Sequence, residues 1–259
     1  MKHFLEHAAD VEKELNGKEV FLFLDYDGTL TPIVATPDLA VLSEEMREAV
    51  RQLSEKYKVA VVSGRATDDV RSKVQLDHLF YAGSHGFEIV LPDGEVKTHP
   101  QAQEIRTTIK QVYKDMREKV ASVTGALVED VKYTISVHYR LVAEADFPKV
   151  RQAVEDVLRQ YPNLRKTDGK KVFELRPNID WDKGKAVEWI LNSLKFQADK
   201  NKAVYIGDDT TDEDAFAVLE GKGFGLLVAE KLRPTKAHYF VRNVKEVEQV
   251  LRHFVNRSV

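Results

Sequence analysis

Two hydrophobic rhythms alternate along this chain, and a different one interrupts them once. Val20 to Leu24 is apolar at every position, and Val59 to Val62, Leu79 to Ala82 and Ala203 to Ile206 repeat the pattern. Such runs predict strands buried on both faces of a parallel sheet. Between them the apolar residues fall at helical spacing: Phe4, Leu5, Ala8, Val11 and Leu15; then Met46, Val50 and Leu53 after Ser43, a predicted N-cap; then Val70 and Val74 after Thr67, another; then Val187, Ile190, Leu191 and Leu194. Phe87 to His99 reads as a hairpin turning at Asp93-Gly94. Phe224 to Val228 and Tyr239 to Val241 read as further strands, and Asn243 with Glu246 as a capping pair for a closing helix.

The interruption starts at Pro100. Ile105, Ile109, Val112, Tyr113, Met116 and Val120 form one helical stripe. Strict alternation follows, with Tyr133, Ile135, Val137 and Tyr139 on one parity and Lys132, Thr134, Ser136, His138 and Arg140 on the other. That pattern predicts an antiparallel strand with one wet face. A second stripe from Phe147 to Leu158 precedes a hairpin predicted to turn at Asp168-Gly169, in which Lys170, Glu174 and Arg176 share the polar side. The predicted class is α/β: a Rossmann-like core with a parallel sheet, made of residues 1–101 and 177–259, plus an inserted α+β domain over 102–176 with two helices on a small antiparallel sheet.

Composition narrows this little. With 259 residues, 43% of them hydrophobic, there is ample material for a core and a second domain. A net charge of -3 with interleaved signs argues against nucleic-acid binding, and the absence of cysteine excludes disulfides and thiolate metal sites. No signal-peptide pattern or membrane-length run stands in the sequence, so a cytoplasmic protein without membrane contact is expected.

The chemistry gathers where the apolar runs stop. The first ends at Asp25-Tyr26-Asp27-Gly28, the second at Ser63-Gly64-Arg65, and the run 203–206 at Gly207-Asp208-Asp209; Lys183 opens a helix. Taken alone, Asp25 and Asp27 are as compatible with a solvated turn as with a site. Carboxylates with no cysteine or histidine cluster suit a hard cation such as magnesium, and a Lys with a hydroxyl suits a phosphoryl group. A carboxylate attacking a phosphate dianion meets repulsion of about 4 kcal/mol per charge pair at 4 Å and an effective dielectric near 20, which a cation and Lys183 would offset. Asp25, rigid at the strand end, is the better nucleophile; Asp27, further into the loop, is the better acid and base.

DYDGTL, SGR, DKG and GDD, in that order, resemble the four motifs of haloacid-dehalogenase-like (HAD) phosphatases, and the insertion resembles their type-two cap. More narrowly, DYDGTLTPIV, VAVVSGR, YAGSHGFEI, VHYR, FELRP, KGKAV and GDDTTDEDAF resemble the trehalose 6-phosphate phosphatases, in a stand-alone form without a synthase portion. The resemblance implies Asp25 as a phosphorylated nucleophile and Asp27 as acid and base. It implies Mg2+ on the Asp25 carboxylate, the Asp27 backbone carbonyl and the Asp208 carboxylate, phosphate on Ser63 and Lys183, and support from Thr29, Asp209 and Asp212. In the cap it implies sugar contacts at Glu129, Arg140, Lys170 and Glu174. Arg65 either pairs with the acids near the rim or lies against substrate, and counts among the substrate-binding candidates. Asp182 stands where the family usually has Asn, and Val131 where it often has Lys, with Lys132 one step on. Lys132 and His138 read as solvated charges and His85 as structural. The implied ligand is a small sugar phosphate supplied by a separate trehalose-phosphate synthase. An HAD phosphatase for another sugar phosphate, or a non-catalytic sugar-phosphate sensor, stays open.

Overall fold

The computed structural model describes residues 1–257. Its described residues form two compact units, 1–63 with 67–97 and 181–257, and 64–66 with 98–180.

In the first unit the chain runs β1 (Lys2–His3), α1 (Ala8–Leu15), β2 (Glu19–Leu24), α2 (Glu44–Lys56), β3 (Lys58–Val62), α3 (Thr67–Val74), β4 (Phe80–Gly83), β5 (Glu88–Val90) and β6 (Val96–Thr98). After the second unit's α4 (Pro100–Val120), β7 (Leu127–Asp130), β8 (Ile135–His138), α5 (Phe147–Gln160), β9 (Leu164–Gly169) and β10 (Val172–Pro177), it returns as α6 (Lys183–Ser193), β11 (Asn201–Gly207), α7 (Asp212–Val218), β12 (Gly223–Val228), β13 (Tyr239–Val241) and α8 (Val244–Asn256).

The large sheet has the order β1-β13-β12-β11-β2-β3-β4-β5-β6. Pairing is parallel from β1 across to β4, and antiparallel where β5 joins. The unbroken apolar run of β2 follows from this: Val20, Leu22 and Leu24 pack into one core with α2 and α8, while Phe21 and Phe23 pack into another with α6 and α7. With both faces buried, neither parity of the strand can be polar. From β2 the chain winds outward through β3 and β4 on one side, and it later returns through α6 to β11 on the other side and winds out to β12 and β13, so a topological switch lies at the carboxyl end of β2.

The second unit carries the order β7-β8-β10-β9, antiparallel throughout, with the stripes of α4 and α5 packed on one face. The α/β class with a parallel sheet and a separate small antiparallel sheet is as the sequence predicts.

Five local readings are corrected. Phe4 and Leu5 precede the first helix, because Lys2–His3 pairs with β13 instead of continuing the helical stripe. Thr67 lies inside α3 and does not cap it. Strand β7, whose residues lack clean alternation, was not predicted. The second-unit hairpin turns at Lys170-Lys171, Lys171 with φ 65, and not at Asp168-Gly169; pairing of Phe173 and Leu175 with Val137 and Ile135 sets the register over the turn preference. Finally, Thr134 and Ser136 on the predicted wet face are buried, since β8 is an inner strand and Ser136 lies between the longer Glu129 and Glu174.

The N-caps at Ser43, Asp182 and Asn243 accept backbone N–H bonds from Met46, Lys185 and Glu246. The reciprocal half of the last pair differs: Glu246 accepts from the N–H of Arg242.

Candidate active site

Asp25 follows the last residue of β2, and its N–H donates to Ile206 O at 2.9 Å, so its backbone is pinned to the neighbouring strand. Its Oδ1 accepts from Lys183 Nζ at 2.7 Å, and its Oδ2 from the Thr29 hydroxyl at 3.3 Å. Lys183 is the first residue of α6, which Asp182 caps, and its ammonium also donates to Asp212 Oδ1 at 2.8 Å. The structure thus brings together Asp25, Thr29, Lys183, Asp208 and Asp212, all buried, at the carboxyl ends of β2 and β11.

Asp212 organises the acidic end of β11. Its Oδ1 accepts from Lys183 and from the Tyr205 hydroxyl at 2.7 Å, and its Oδ2 from the N–H groups of Asp208 and Asp209, each at 2.9 Å. Four donors on two oxygens fill the side chain's acceptor capacity. The loop after Asp25 closes tightly, Gly28 N–H donating to Thr31 O at 2.7 Å. Gly28 has φ +84, and a Cβ there would stand 1.9 Å from Asp208 Oδ2, so only glycine allows the acid to approach.

Burial pushes the Asp25 carboxyl well above its ordinary pKa; Lys183 opposes this, and Asp212 and Asp208 reinforce it. Burial pulls Lys183 down, but Asp212 and Asp25 outweigh it and hold the ammonium well above its usual range. Burial raises Asp212, and Lys183 with the other donors brings it below the usual carboxylate value. Burial and Asp212 keep the Tyr205 phenol protonated, as its donor role requires.

Carboxylate oxygens of Asp25, Asp208 and Asp212 lie within 4.8 Å of one another. The Lys183 ammonium is bonded to Asp25 and Asp212, and the cluster's all-oxygen donors fit a hard divalent cation. Asp212 already accepts from four donors, and the Asp25 and Asp208 carboxylates complete the cluster.

The remaining candidates fall as follows. Asp27 is half-buried in the loop, bridged to Thr31. Asp209 lies after Asp208, with its own carbonyl held by Arg233. Ser63 is buried beyond β3, its N–H on Ala82 O and its carbonyl taking the His85 N–H. His85 itself is buried with φ 56, in line with a structural reading. Arg65 is buried and groups with the second unit. In that unit Glu129 and Glu174 flank Ser136 on the polar face of the sheet, whereas Arg140 and Lys170 are exposed beyond the ends of β8 and β9, the Arg140 guanidinium donating to Lys170 O.

Sequence reasoning missed Tyr205. The available signal was a hydroxyl inside a fully buried strand, which needs a partner.

Residues 23–253 match the trehalose-phosphatase family model. A trehalose 6-phosphate phosphatase of Zea mays, RA3, is 46% identical over 258 residues, covering 93% of this chain and 71% of that protein. The chain belongs to the trehalose-phosphatase family. Its fold agrees: a crystal structure of a trehalose-6-phosphate phosphatase related protein superposes with a TM-score of 0.80 at 24% identity, over 91% of this chain and 96% of that one. A haloacid dehalogenase-like hydrolase from Bacteroides thetaiotaomicron gives 0.63 at 14% identity, over 91% and 98%. Asp25 and Asp208 stand at the carboxyl ends of the neighbouring parallel strands β2 and β11. Among the described residues no helix is long and apolar enough to cross a membrane.

Proposed function

We propose that this chain hydrolyses trehalose 6-phosphate to trehalose and phosphate, with Asp25 as nucleophile. The observation that carries the reading is the buried Lys183 ammonium held at 2.7 Å from Asp25 and 2.8 Å from Asp212, at the end of the central strand of a trehalose-phosphatase family member. Held there, Lys183 keeps the Asp25 carboxylate fixed and presents positive charge where phosphoryl oxygens would arrive.

An Asp25 oxygen attacks phosphorus, and the bond from phosphorus to the sugar oxygen breaks as Asp27 gives that oxygen a proton. Asp27 then takes a proton from water, whose oxygen attacks the aspartyl phosphate, releasing phosphate and restoring Asp25. Ser63 and Lys183 hold phosphoryl oxygens; Thr29, Asp209 and Asp212 keep the acids and the lysine in place. Mg2+ would be held by the Asp25 carboxylate, the Asp27 carbonyl and the Asp208 carboxylate, and when bound would neutralise charge on the phosphoryl group. Residues 102–176 act as the specificity domain, recognising sugar hydroxyls through Glu129, Arg140, Lys170 and Glu174, with Arg65 against substrate. A separate synthase supplies the substrate in the cytoplasm.

Phosphate release from a panel of sugar phosphates with magnesium tests this. Trehalose 6-phosphate should be preferred, Asp25→Asn should abolish release and Asp27→Asn should block turnover. Equal rates on glucose 6-phosphate would overturn the substrate assignment, and binding without turnover would favour a sensor.

A further inference from the structure

On the polar face of the small sheet, Glu129, Ser136, Glu174 and Thr167 stand in one register row across all four strands. The first and third of these are the carboxylates to which sugar recognition is assigned above. Each is held from the side by a residue that this assignment leaves out. His138 Nε2 lies 3.0 Å from Glu129 Oε2, reaching diagonally across β7 and β8, where its direct register partner is Leu127. The Thr167 hydroxyl donates to Glu174 Oε2 at 3.3 Å from directly across β9 and β10.

We propose, on the basis of that sugar-binding reading, that His138 and Thr167 are positioning residues for substrate selectivity, His138 the stronger of the two. A carboxylate is acceptor-only, so His138 Nε2 carries the proton and the bond fixes both the tautomer and the Glu129 rotamer. Among the described residues this is the only hydrogen bond of the Glu129 side chain, and it leaves Oε1 as the acceptor for a sugar hydroxyl. Discrimination among hydroxyl patterns requires an acceptor at a set position, and a Glu with three free torsions would have to be ordered at each binding event. The site is partly shielded, with the His138 and Glu129 side chains 25% and 36% exposed, so the contact is more than a fully solvated surface pair.

The experiment compares kcat/KM for trehalose 6-phosphate with kcat/KM for p-nitrophenyl phosphate, which offers a phosphoryl group without sugar hydroxyls. His138→Ala should lower this ratio about tenfold, through KM for the sugar phosphate, as expected for losing one hydrogen bond to a charged group. His138→Gln, which keeps a donor at a similar reach, should recover most of it. Thr167→Val should lower it about threefold and Thr167→Ser should restore it. A drop of equal factor on both substrates, or no advantage of His138→Gln over His138→Ala, would assign His138 a structural role and overturn the proposal. Glu129→Gln separates the two levels: if it lowers the ratio and His138→Ala does not, positioning fails alone; if Glu129→Gln leaves the ratio unchanged, the sugar-binding reading fails with it.

Discussion

Asp212→Asn probes the network at its most connected point. The substitution keeps size and shape but removes the charge that faces Lys183 at 2.8 Å, an attraction of about 6 kcal/mol at an effective dielectric near 20. Desolvation cancels much of that, and breaking a buried pair typically costs about 3 to 5 kcal/mol; with Asp25 still bound to Lys183, the lower figure applies. The amide oxygen can go on accepting from the N–H groups of Asp208 and Asp209, but its NH2 then faces the ammonium, donor against donor. A loss of about 3 kcal/mol corresponds to a melting temperature lower by about 6 to 12 °C, and to phosphate release slower by about two orders of magnitude if the whole loss reaches the transition state. Thermal melts followed by tryptophan fluorescence, with Trp189 on α6 as a local reporter, and steady-state phosphate release with magnesium read the two effects separately. Asp212→Ala also strands two backbone donors, and should melt lower than Asp212→Asn. An Asp212→Asn protein within 2 °C and twofold of the wild type, tolerances set at about the smallest effect such a buried contact produces, would refute the central place given to this residue.

Other expectations follow from single contacts. Tyr205→Phe removes one donor from Asp212 Oδ1 and should slow phosphate release about tenfold with little change in fold, as circular dichroism would verify. Gly28→Ala sets a methyl against Asp208 on a left-handed backbone, so the magnesium concentration needed for half-maximal activity should rise steeply. EDTA should stop phosphate release and added magnesium restore it; persistence of full activity in EDTA would contradict the cation fit. Burial raises the Glu246 pKa, but the Arg242 N–H, His3 and the Arg242 guanidinium together bring it below the ordinary 4.5. A lowered folded-state pKa stabilises the protein above the unfolded value and is lost as pH falls through the folded one, so the stability gap between wild type and Glu246→Gln, about 1 kcal/mol at neutral pH, should close on acidification below about pH 5.

What could be read from the chain and what could not divide along a physical line. A strand buried on both faces announces itself by composition, so Val20–Leu24 located Asp25, and the same rule located Ser63 and Asp208 at neighbouring ends. Those positions depend only on where an apolar run stops. Orientation depends on contacts that spacing does not encode. Asp212 reads in the sequence as one more acid at a helix start, yet its four donors come from Lys183, Tyr205 and the backbone of Asp208 and Asp209, a set that exists only once the fold brings the start of α6 to the end of β11. The second unit shows the same division: alternation indicated a polar face, but the pairing of β7 with β8, a strand the pattern did not reveal, is what places His138 beside Glu129. A histidine read as solvated becomes a hydrogen-bond partner by that one register. Sequence pattern therefore locates the candidate acids at strand ends, whereas the groups that aim them are found through cross-strand and helix-to-strand contacts, which is also where the variants above should separate catalysis from selectivity.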